Sequence, residues 1–173
     1  SGTRQGAMSS FLPDVLTRIG EALGLSAQAR RQALAGSLLL SADNGHAVHP
    51  NFPEKADPAN RVYPNGGVVI KYSANQKYTT TGLTAGLFQA ICQKAGVPVQ
   101  VFANRADEPG GSTLGNLLGH QVSIPMVDIG MAQLAMHSAV ETAGSRDPEY
   151  MARACAAFFQ AEFTQTADGV YQF

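Results

Sequence analysis

A chain of 173 residues with 45% hydrophobic and 14% charged side chains has the composition of one globular domain, which excludes a disordered tail. Its formal net charge is −1 and it contains no basic run, so neither nucleic acid nor an anionic membrane is an expected partner. No apolar run is long enough to span a bilayer, and we find no signal peptide. We therefore expect a cytoplasmic protein in which Cys92 and Cys155 are buried free thiols.

The elements predicted along the chain alternate between helices and strands. Apolar residues at helical spacing, N-cap residues and glycine stops locate the helices, and short runs of aliphatic residues locate the strands. In chain order the predictions are a helix over residues 11–23, a helix over 26–35, a strand buried on both faces over 38–40, a strand over 68–72, a helix over 81–95, a strand over 97–102, a short helix opened by the glycine turn 110–115, a strand over 122–129 and a closing helix over 148–165. This order predicts an α/β fold with a mixed, largely parallel sheet and helices on both faces.

A long segment without periodicity, residues 43–67, carries the densest polar cluster of the sequence. Asp43 directly follows a predicted buried strand, and open α/β sheets bind ligands at the carboxyl ends of their strands. Asp43, His46 and His49 offer the oxygen and nitrogen donors that zinc prefers. The alternative is a loop whose histidines form hydrogen bonds only with the backbone.

Further residues outside this loop could belong to a site. His137 lies in a turn after the last predicted strand and is either a metal ligand or a structural histidine. Glu141 is four residues further on, so on a helix it would lie on the same face as His137. Lys71 ends an apolar strand, where a lysine either extends its ammonium to solvent or receives a substrate carboxylate. The turn 110–115 leads into a helix and could hold an anion, but it lacks the lysine of a nucleotide-binding loop. We interpret Asp128 as a hydrogen-bonded structural carboxylate.

Six segments together resemble the aspartyl aminopeptidase and aminopeptidase I family of dinuclear zinc peptidases. They occur in the order and approximate spacing found in that family and extend over nearly the whole chain. The segments are SGTRQGA, SADNGHAVHPN, GGVVIK, NQKYTT, RADEPGGSTLG and VDIGMAQLAMHS. The resemblance implies a zinc-exopeptidase fold and an enzyme, a metallo-aminopeptidase that removes N-terminal, often acidic, residues from peptides with a free N-terminus.

The resemblance also implies roles for individual residues. Asp43 and His137 match zinc ligands of the family, which holds two Zn²⁺ ions in each active site, with other divalent metals as alternatives. Lys71 matches a lysine placed near the first side chain of the substrate. The remaining implied residues bind substrate or order the site, and they are His46, His49, Gly111, Ser112 and Thr113.

Parts of the family pattern have no counterpart in this chain. A Glu-Glu pair of the family lies just before the serine that Ser1 matches, so we expect the general base and one zinc ligand upstream of Ser1. Residues 1–173 are accordingly expected to be the C-terminal portion of a catalytic domain, without its N-terminal portion or the oligomerisation domain. The full-length protein is expected to be a homo-oligomer, a dodecamer built on dimers. The alternatives are a non-catalytic scaffold or binding homologue and one half of a split enzyme.

Overall fold

Helices and strands alternate along most of the chain in the computed structural model, which describes residues 2–167 and 169–172. Ser1, which the sequence predicts to follow a glutamate pair, lies outside the described residues. In chain order the elements are α1 (Phe11–Ala22), α2 (Ala27–Ala35), β1 (Leu39–Ala42), β2 (Gly45–His46), a 3₁₀ turn (Pro53–Lys55), β3 (Val68–Tyr72), α3 (Gly82–Lys94), β4 (Val99–Ala103), α4 (Leu114–Gly119), β5 (Met126–Gly130), β6 (Ala132–Leu134), β7 (Thr142–Ala143), α5 (Asp147–Gln160), β8 (Thr164–Ala167) and β9 (Val170–Gln172).

A four-stranded sheet in the order β1-β5-β3-β4 forms the centre of the fold. β1 runs parallel to β5, and β3 runs parallel to β4, with Val68 opposite Val99. The two pairs meet in an antiparallel contact, in which Ile70 of β3 lies opposite Ile129 of β5. The sheet is therefore mixed and largely parallel, as the order of the predicted elements indicates.

The two faces of this sheet are covered by different elements, because side chains alternate along each strand. Val68 and Ile70 point to one face, where they pack with Phe88 of α3 and Ala154 of α5. Val69 points to the other face, which is covered by α4, by a second small sheet and by the loop that precedes β3. Helices thus lie on both faces as predicted, but strands and loop also cover the second face.

The second sheet continues the parallel pair β1 and β5 around a bend. β2 pairs with β6 in parallel, and β7 pairs with β6 in the antiparallel direction. The bend lies at Asp43 and Asn44, and Asn44 Oδ1 accepts a hydrogen bond from the N–H of Met131 at 3.0 Å. Gly130 is required there, because a Cβ at that position would collide with the carbonyl oxygen of Asp43. The bend carries β2 over the side chain of Lys71.

Two strands begin later than predicted, in both cases after a proline. The strand predicted over 97–102 is β4 and begins at Val99, because Pro98 has no N–H to donate to the neighbouring strand. The strand predicted over 122–129 is β5 and begins at Met126, directly after Pro125. Both prolines use their carbonyl oxygens as hydrogen-bond acceptors, so they mark the entry of each strand into the sheet.

The first strand and the last helix also differ from the prediction. Leu39 and Leu40 are only partly buried, because β1 lies at the edge of the described sheet, so the prediction of a strand buried on both faces is wrong. α5 has Pro148 in its first turn as expected, but it ends at Gln160, and the chain continues into the hairpin β8–β9. The short strands β2 and β6 to β9 were not predicted, since runs of two to four residues carry little periodic pattern.

Both cysteines are free thiols, as predicted, but only Cys92 is fully buried. Cys92 lies in the apolar core between α3 and the sheet, and burial raises its pKa to about 12. Cys155 on α5 is half-buried, and burial raises its pKa as well. Neither thiol is placed to act as a nucleophile near neutral pH.

The two thiols are expected to differ in their reaction with Ellman's reagent. Only the thiolate reacts, and at pH 8 a thiol like Cys92, with a pKa of about 12, is ionised in about one molecule in ten thousand. In the folded chain Cys155 should react slowly, faster as the pH rises, and Cys92 should not react, whereas both should react at once in denaturant. A Cys155→Ser variant should show no reactive thiol when folded. Rapid modification of Cys92 in the folded chain, located by peptide mass mapping, would contradict its burial.

The helices α1 and α2 pack on each other at the margin of the fold. The aliphatic stem of Arg30 crosses Gly20, where a Cβ would collide with it. Four apolar side chains at four-residue spacing remain exposed on one side of α1 and its C-cap: Phe11, Val15, Ile19 and Leu23. The amphipathic pattern that predicts α1 is therefore not matched by a buried face within the described residues. Among those residues, no helix combines the length and the apolar character that crossing a bilayer requires.

Candidate active site

A cavity of about 150 Å³ lies where β1 bends into β2. The fold brings most of the residues predicted for a site to this one place. The predicted residues that line it are Asp43, His46, Lys71, Gly111, Ser112, Thr113 and His137. His49 lies instead in an adjoining cavity of about 300 Å³. Residues from distant parts of the sequence thus converge at the bend.

Asp43 is exposed at the bend, and its backbone is fixed on both sides. Its N–H donates to the carbonyl oxygen of Ile129 at 2.9 Å, which continues the ladder between β1 and β5. Its own carbonyl oxygen accepts a hydrogen bond from Lys71 Nζ at 2.7 Å. Among the described residues none donates a hydrogen bond to its carboxylate, which leaves both carboxylate oxygens for a ligand in the cavity.

His137 lies in a tight turn after β6, with an unusual backbone conformation. His137 has a φ of +68° and Ala135 a φ of +56°, a region that residues with a side chain rarely adopt. The N–H of His137 donates to Glu141 Oε1 at 2.7 Å. Glu141 therefore does not share a helical face with His137 but holds the turn closed. Such conformations persist where the surrounding structure enforces them, which is common at functional sites.

Asp43 and His137 fit part of a zinc site. They offer a carboxylate oxygen and an imidazole nitrogen to the same cavity, and zinc accepts both kinds of ligand. In residues 2–167 and 169–172, no group of three or more His, Cys, Asp or Glu side chains is arranged to hold a metal ion. Because zinc sites use three or four protein ligands, the described residues supply only part of a ligand set.

Lys71 is only 1% exposed, so it does not extend its ammonium to solvent, yet it lines the cavity. Its Nζ donates to the carbonyl oxygen of Asp43 and lies 5.1 Å from the ring centroid of Tyr78. Burial lowers the pKa of Lys71 below 10.5, while the negative charges of Asp43 and Asp128 oppose this shift. No carboxylate of the described residues forms an ion pair with it. An ammonium has three N–H donors, so Lys71 has donors left for an anionic ligand.

Asp128 is fully buried beside the cavity. Its burial and its hydrogen bonds confirm that it is a structural carboxylate. Its Oδ1 accepts hydrogen bonds from Ser41 Oγ at 2.5 Å and from Thr113 Oγ1 at 2.6 Å. Its Oδ2 accepts from both the N–H and the hydroxyl of Thr79, at 2.5 and 2.8 Å. These partners belong to β1, to the segment before α4 and to the segment before α3. One carboxylate therefore holds together the segments that surround the cavity.

The glycine turn matters to the cavity through its shape, as part of the wall, rather than through free N–H groups. Gly111 and Ser112 are exposed, whereas Thr113 is buried against Asp128. The N–H of Gly115 at the start of α4 donates to Ser41 Oγ at 2.8 Å, so it is not free for an anion. The turn is held from the other side by Lys77, whose Nζ donates to the carbonyl oxygen of Gly110 at 2.6 Å. The anion-binding interpretation of the turn gains no support from these contacts.

The two predicted histidines of the long loop lie at the exposed side of the site. His46 on β2 lines both the first cavity and the adjoining one. His49 lies farther along, and its Nδ1 accepts the N–H of Asn51 at 3.2 Å, so one of its nitrogens is used by the backbone. The His49 ring also packs against Phe52, with 5.3 Å between ring centroids.

Tyr78 and Asn104 line the cavity but were not singled out from the sequence. Asn104 Nδ2 donates to Tyr78 Oη at 3.1 Å, and burial raises the pKa of Tyr78, so its hydroxyl stays neutral. Asn104 directly follows β4, and its position at the carboxyl end of a parallel strand was the signal that could have identified it. Tyr78 has no comparable signal, because the segment between β3 and α3 shows no periodicity.

Comparison of the sequence with known proteins identifies the family of this chain. Residues 1–159 match the family described as aminopeptidase I zinc metalloprotease (M18). The probable M18 family aminopeptidase 2 of Mycobacterium tuberculosis is 44% identical over 165 residues, which cover 95% of this chain. The chain spans only 38% of the length of that relative.

Solved structures give the same result. A chain in the cryo-EM structure of the Ape4 and Nbr1 complex is 42% identical, with a TM-score of 0.89 over 92% of this chain and 30% of that one. The mApe1 dodecamer of Saccharomyces cerevisiae is 30% identical, with a TM-score of 0.79 over 92% of this chain and 35% of that one. The chain therefore belongs to the aminopeptidase I zinc metalloprotease (M18) family.

Proposed function

We propose that this chain is the C-terminal portion of the catalytic domain of a cytoplasmic zinc aminopeptidase that removes acidic residues from the N-termini of peptides. The observation that carries the proposal is that Asp43, Lys71 and His137, which are distant in the sequence, line one cavity. Membership of the family supports hydrolysis at a peptide N-terminus, and the buried ammonium supports the preference for an acidic first residue.

Each of these residues has a separate role in the proposal. Asp43 and His137 would hold zinc together with ligands from outside the described residues, two ions in the complete site. When bound there, zinc would supply a Lewis acid for the scissile carbonyl and a water molecule of lowered pKa. Lys71 receives the carboxylate of the first substrate side chain, because its ammonium is fixed by Asp43 and shielded from water. The general base is a glutamate outside this chain.

The proposal extends to assembly. The Saccharomyces cerevisiae mApe1 structure is that of a dodecamer, and Ape4 was solved in a complex with Nbr1. For the full-length protein that carries this chain we propose a homo-oligomer, a dodecamer built on dimers. Within the described residues, the exposed apolar side of α1 offers surface for contact with further parts of such a protein.

The test is made on the full-length, zinc-loaded protein, which should release aspartate from Asp-Leu amide faster than leucine from Leu-Leu amide. Lys71→Met should lower kcat/KM for the aspartyl substrate about ten- to a hundredfold, because a charge-assisted hydrogen bond is worth about 1.5–3 kcal/mol. The leucyl substrate should be affected less. The control is Lys94→Met, since Lys94 is exposed near the end of α3 and does not line the cavity.

Two outcomes would count against the proposal. A zinc-loaded full-length protein that releases no N-terminal residue from any peptide would favour the non-catalytic scaffold instead. An equal loss for the aspartyl and leucyl substrates in Lys71→Met would show that Lys71 stabilises the bend without recognising the substrate.

A further inference from the structure

Asparagine is followed by glycine at two positions of the chain, Asn44-Gly45 and Asn65-Gly66. An asparagine in such a pair loses its side-chain amide without an enzyme, because glycine has no side chain to shield its backbone nitrogen from the neighbouring amide. The rate of this reaction depends on how firmly the fold holds the amide and the glycine nitrogen. The two positions differ in both respects.

The fold protects Asn44, which lies half-buried in the bend between β1 and β2. Its Oδ1 accepts the N–H of Met131 at 3.0 Å, and its Nδ2 donates to Gln133 Oε1. The N–H of Gly45 belongs to the ladder between β2 and β6 and donates to the carbonyl oxygen of Met131 at 2.9 Å. Both reacting groups are therefore held, and the reaction at Asn44 requires local opening of the small sheet.

Asn65 is exposed in the turn that precedes β3, and its φ is +64°. Among the described residues its Nδ2 donates no hydrogen bond, so the group that leaves as ammonia is not held. Gly66 lies in the same turn, and its N–H donates to the carbonyl oxygen of Tyr63 at 3.2 Å, which is longer than the ladder bond of Gly45. The attacking nitrogen is thus held by a turn and not by a sheet.

The start of α5 polarises the carbonyl of the Asn65 amide. Asn65 Oδ1 accepts the N–H of Arg146 at 2.8 Å, and Arg146 is the N-cap of this 14-residue helix. The oxygen gains negative charge when a nitrogen adds to Cγ, and a fixed donor near the positive end of a helix stabilises that charge. The contact therefore favours attack on the Asn65 amide.

The product would carry a second carboxylate beside Asp147. Asn65 Oδ1 and Asp147 Oδ2 lie 2.6 and 2.4 Å from the point that a Cβ of Gly144 would occupy, so they are at most about 5 Å apart, a distance at which like charges repel. Asp147 is 1% exposed, and its buried Oδ1 has no hydrogen-bond partner in the part of the chain that the structure describes. Asp147 Oδ2 also accepts the N–H of Asn65 at 2.8 Å, which joins the turn to α5. A charge on residue 65 therefore weakens this junction.

We propose that Asn65 is a site of spontaneous deamidation, which places a carboxylate beside Asp147 at the junction of the turn and α5. The backbone nitrogen of Gly66 forms a bond to Asn65 Cγ, and the Cγ–Nδ2 bond breaks. Ammonia leaves with the proton of the Gly66 N–H, and a succinimide ring remains. One water molecule then opens the ring at either carbonyl and leaves aspartate or isoaspartate at position 65. The net change exchanges an amino group for a hydroxyl group and involves no oxidation or reduction.

The experiment follows both asparagines by peptide mass mapping while the full-length protein is incubated in mildly alkaline buffer. In the folded protein the exchange should be at least about tenfold faster at Asn65 than at Asn44, because Asn44 reacts only when the small sheet opens. In denaturant the two positions should react at similar rates, since both are followed by glycine and neither is held.

A variant measures the effect of the product on stability. Asn65→Asp should lower the melting temperature by about 2–8 °C, because the new carboxylate lies beside Asp147. The control is Asn75→Asp, which adds the same charge at an exposed position where the side chain accepts the hydroxyl of Ser73. Its melting temperature should equal that of the wild type.

Three results would overturn the proposal in whole or in part. An Asn65 that stays intact in the folded protein, while the denatured chain is converted, would show that the fold protects it. Equal rates at Asn65 and Asn44 in the folded protein would show that the structure does not select between them. A melting temperature of Asn65→Asp equal to that of Asn75→Asp would show that the new carboxylate does not act on Asp147. The rate comparison uses the wild type alone, so it decides the proposal even if a variant fails to fold.

Discussion

The chain of 173 residues, expressed alone and supplied with zinc, is expected to release no detectable aspartate from an aspartyl anilide. Loss of a general base removes about a hundred- to ten-thousandfold in rate, and in the proposed function that base is a glutamate from another part of the protein. Zinc binding should also be weak, because only Asp43 and His137 meet as candidate ligands in the described residues. Calorimetric titration with zinc and an anilide assay on the same preparation measure both effects.

Two further results would change this interpretation. Stoichiometric binding of two zinc ions together with turnover would mean that the site is formed by other residues of this chain. Recovery of activity on adding the N-terminal part of a relative as a separate polypeptide would favour a split enzyme. The exposed apolar side of α1 also makes self-association of the isolated chain an expected observation, measurable by light scattering.

Asp128→Ala is expected to lower the free energy of unfolding by about 3–5 kcal/mol, which is near the upper limit for a single substitution. The substitution leaves the hydroxyls of Ser41, Thr79 and Thr113 and one backbone N–H without their buried acceptor. For a domain of this size the melting temperature should fall by about 6–20 °C. Thermal unfolding followed by circular dichroism measures the change.

Two variants control for this prediction. Asp128→Asn keeps the volume but places N–H donors against donors, so a large loss of stability there would assign the effect to hydrogen bonding and not to a void. Asp107→Ala removes an exposed carboxylate whose ion pair is with Arg105, and it should change stability by no more than about 0.5 kcal/mol. A similar small change in Asp128→Ala would contradict the role of Asp128 in holding the cavity together.

The sequence predicts the fold class and much of the site because the relevant patterns are local. Asp43 was identifiable from its place directly after a strand, and Lys71 from its place at the end of one. The starts of β4 and β5 were misplaced because apolar residues continue through Pro98 and Pro125, while the hydrogen bonds do not. The pattern of apolar residues therefore does not show at which residue the hydrogen bonding of a strand begins.

Long-range contacts account for what was not predicted. Tyr78 lines the cavity beside Asn104, which follows β4 and donates a hydrogen bond to the Tyr78 hydroxyl, and this contact between distant segments has no local signal. The sequence places His137 in a turn, but it does not indicate that Ala135 and His137 have positive φ or that Glu141 accepts the N–H of His137. His46 lines both cavities whereas His49 lines only the adjoining one, and no spacing in the sequence indicates this difference.

The hydrogen bond between the carbonyl oxygen of Asp43 and Lys71 Nζ joins two functions in one residue. The side chain of Asp43 is the candidate metal ligand, and its backbone holds the candidate receptor of the substrate carboxylate. In the proposed site, a ligand that draws Lys71 towards itself would therefore act on Asp43, and a metal ion bound by Asp43 would act on Lys71. By thermodynamic linkage, the factor by which zinc changes the affinity for an acidic ligand must equal the factor by which that ligand changes the affinity for zinc.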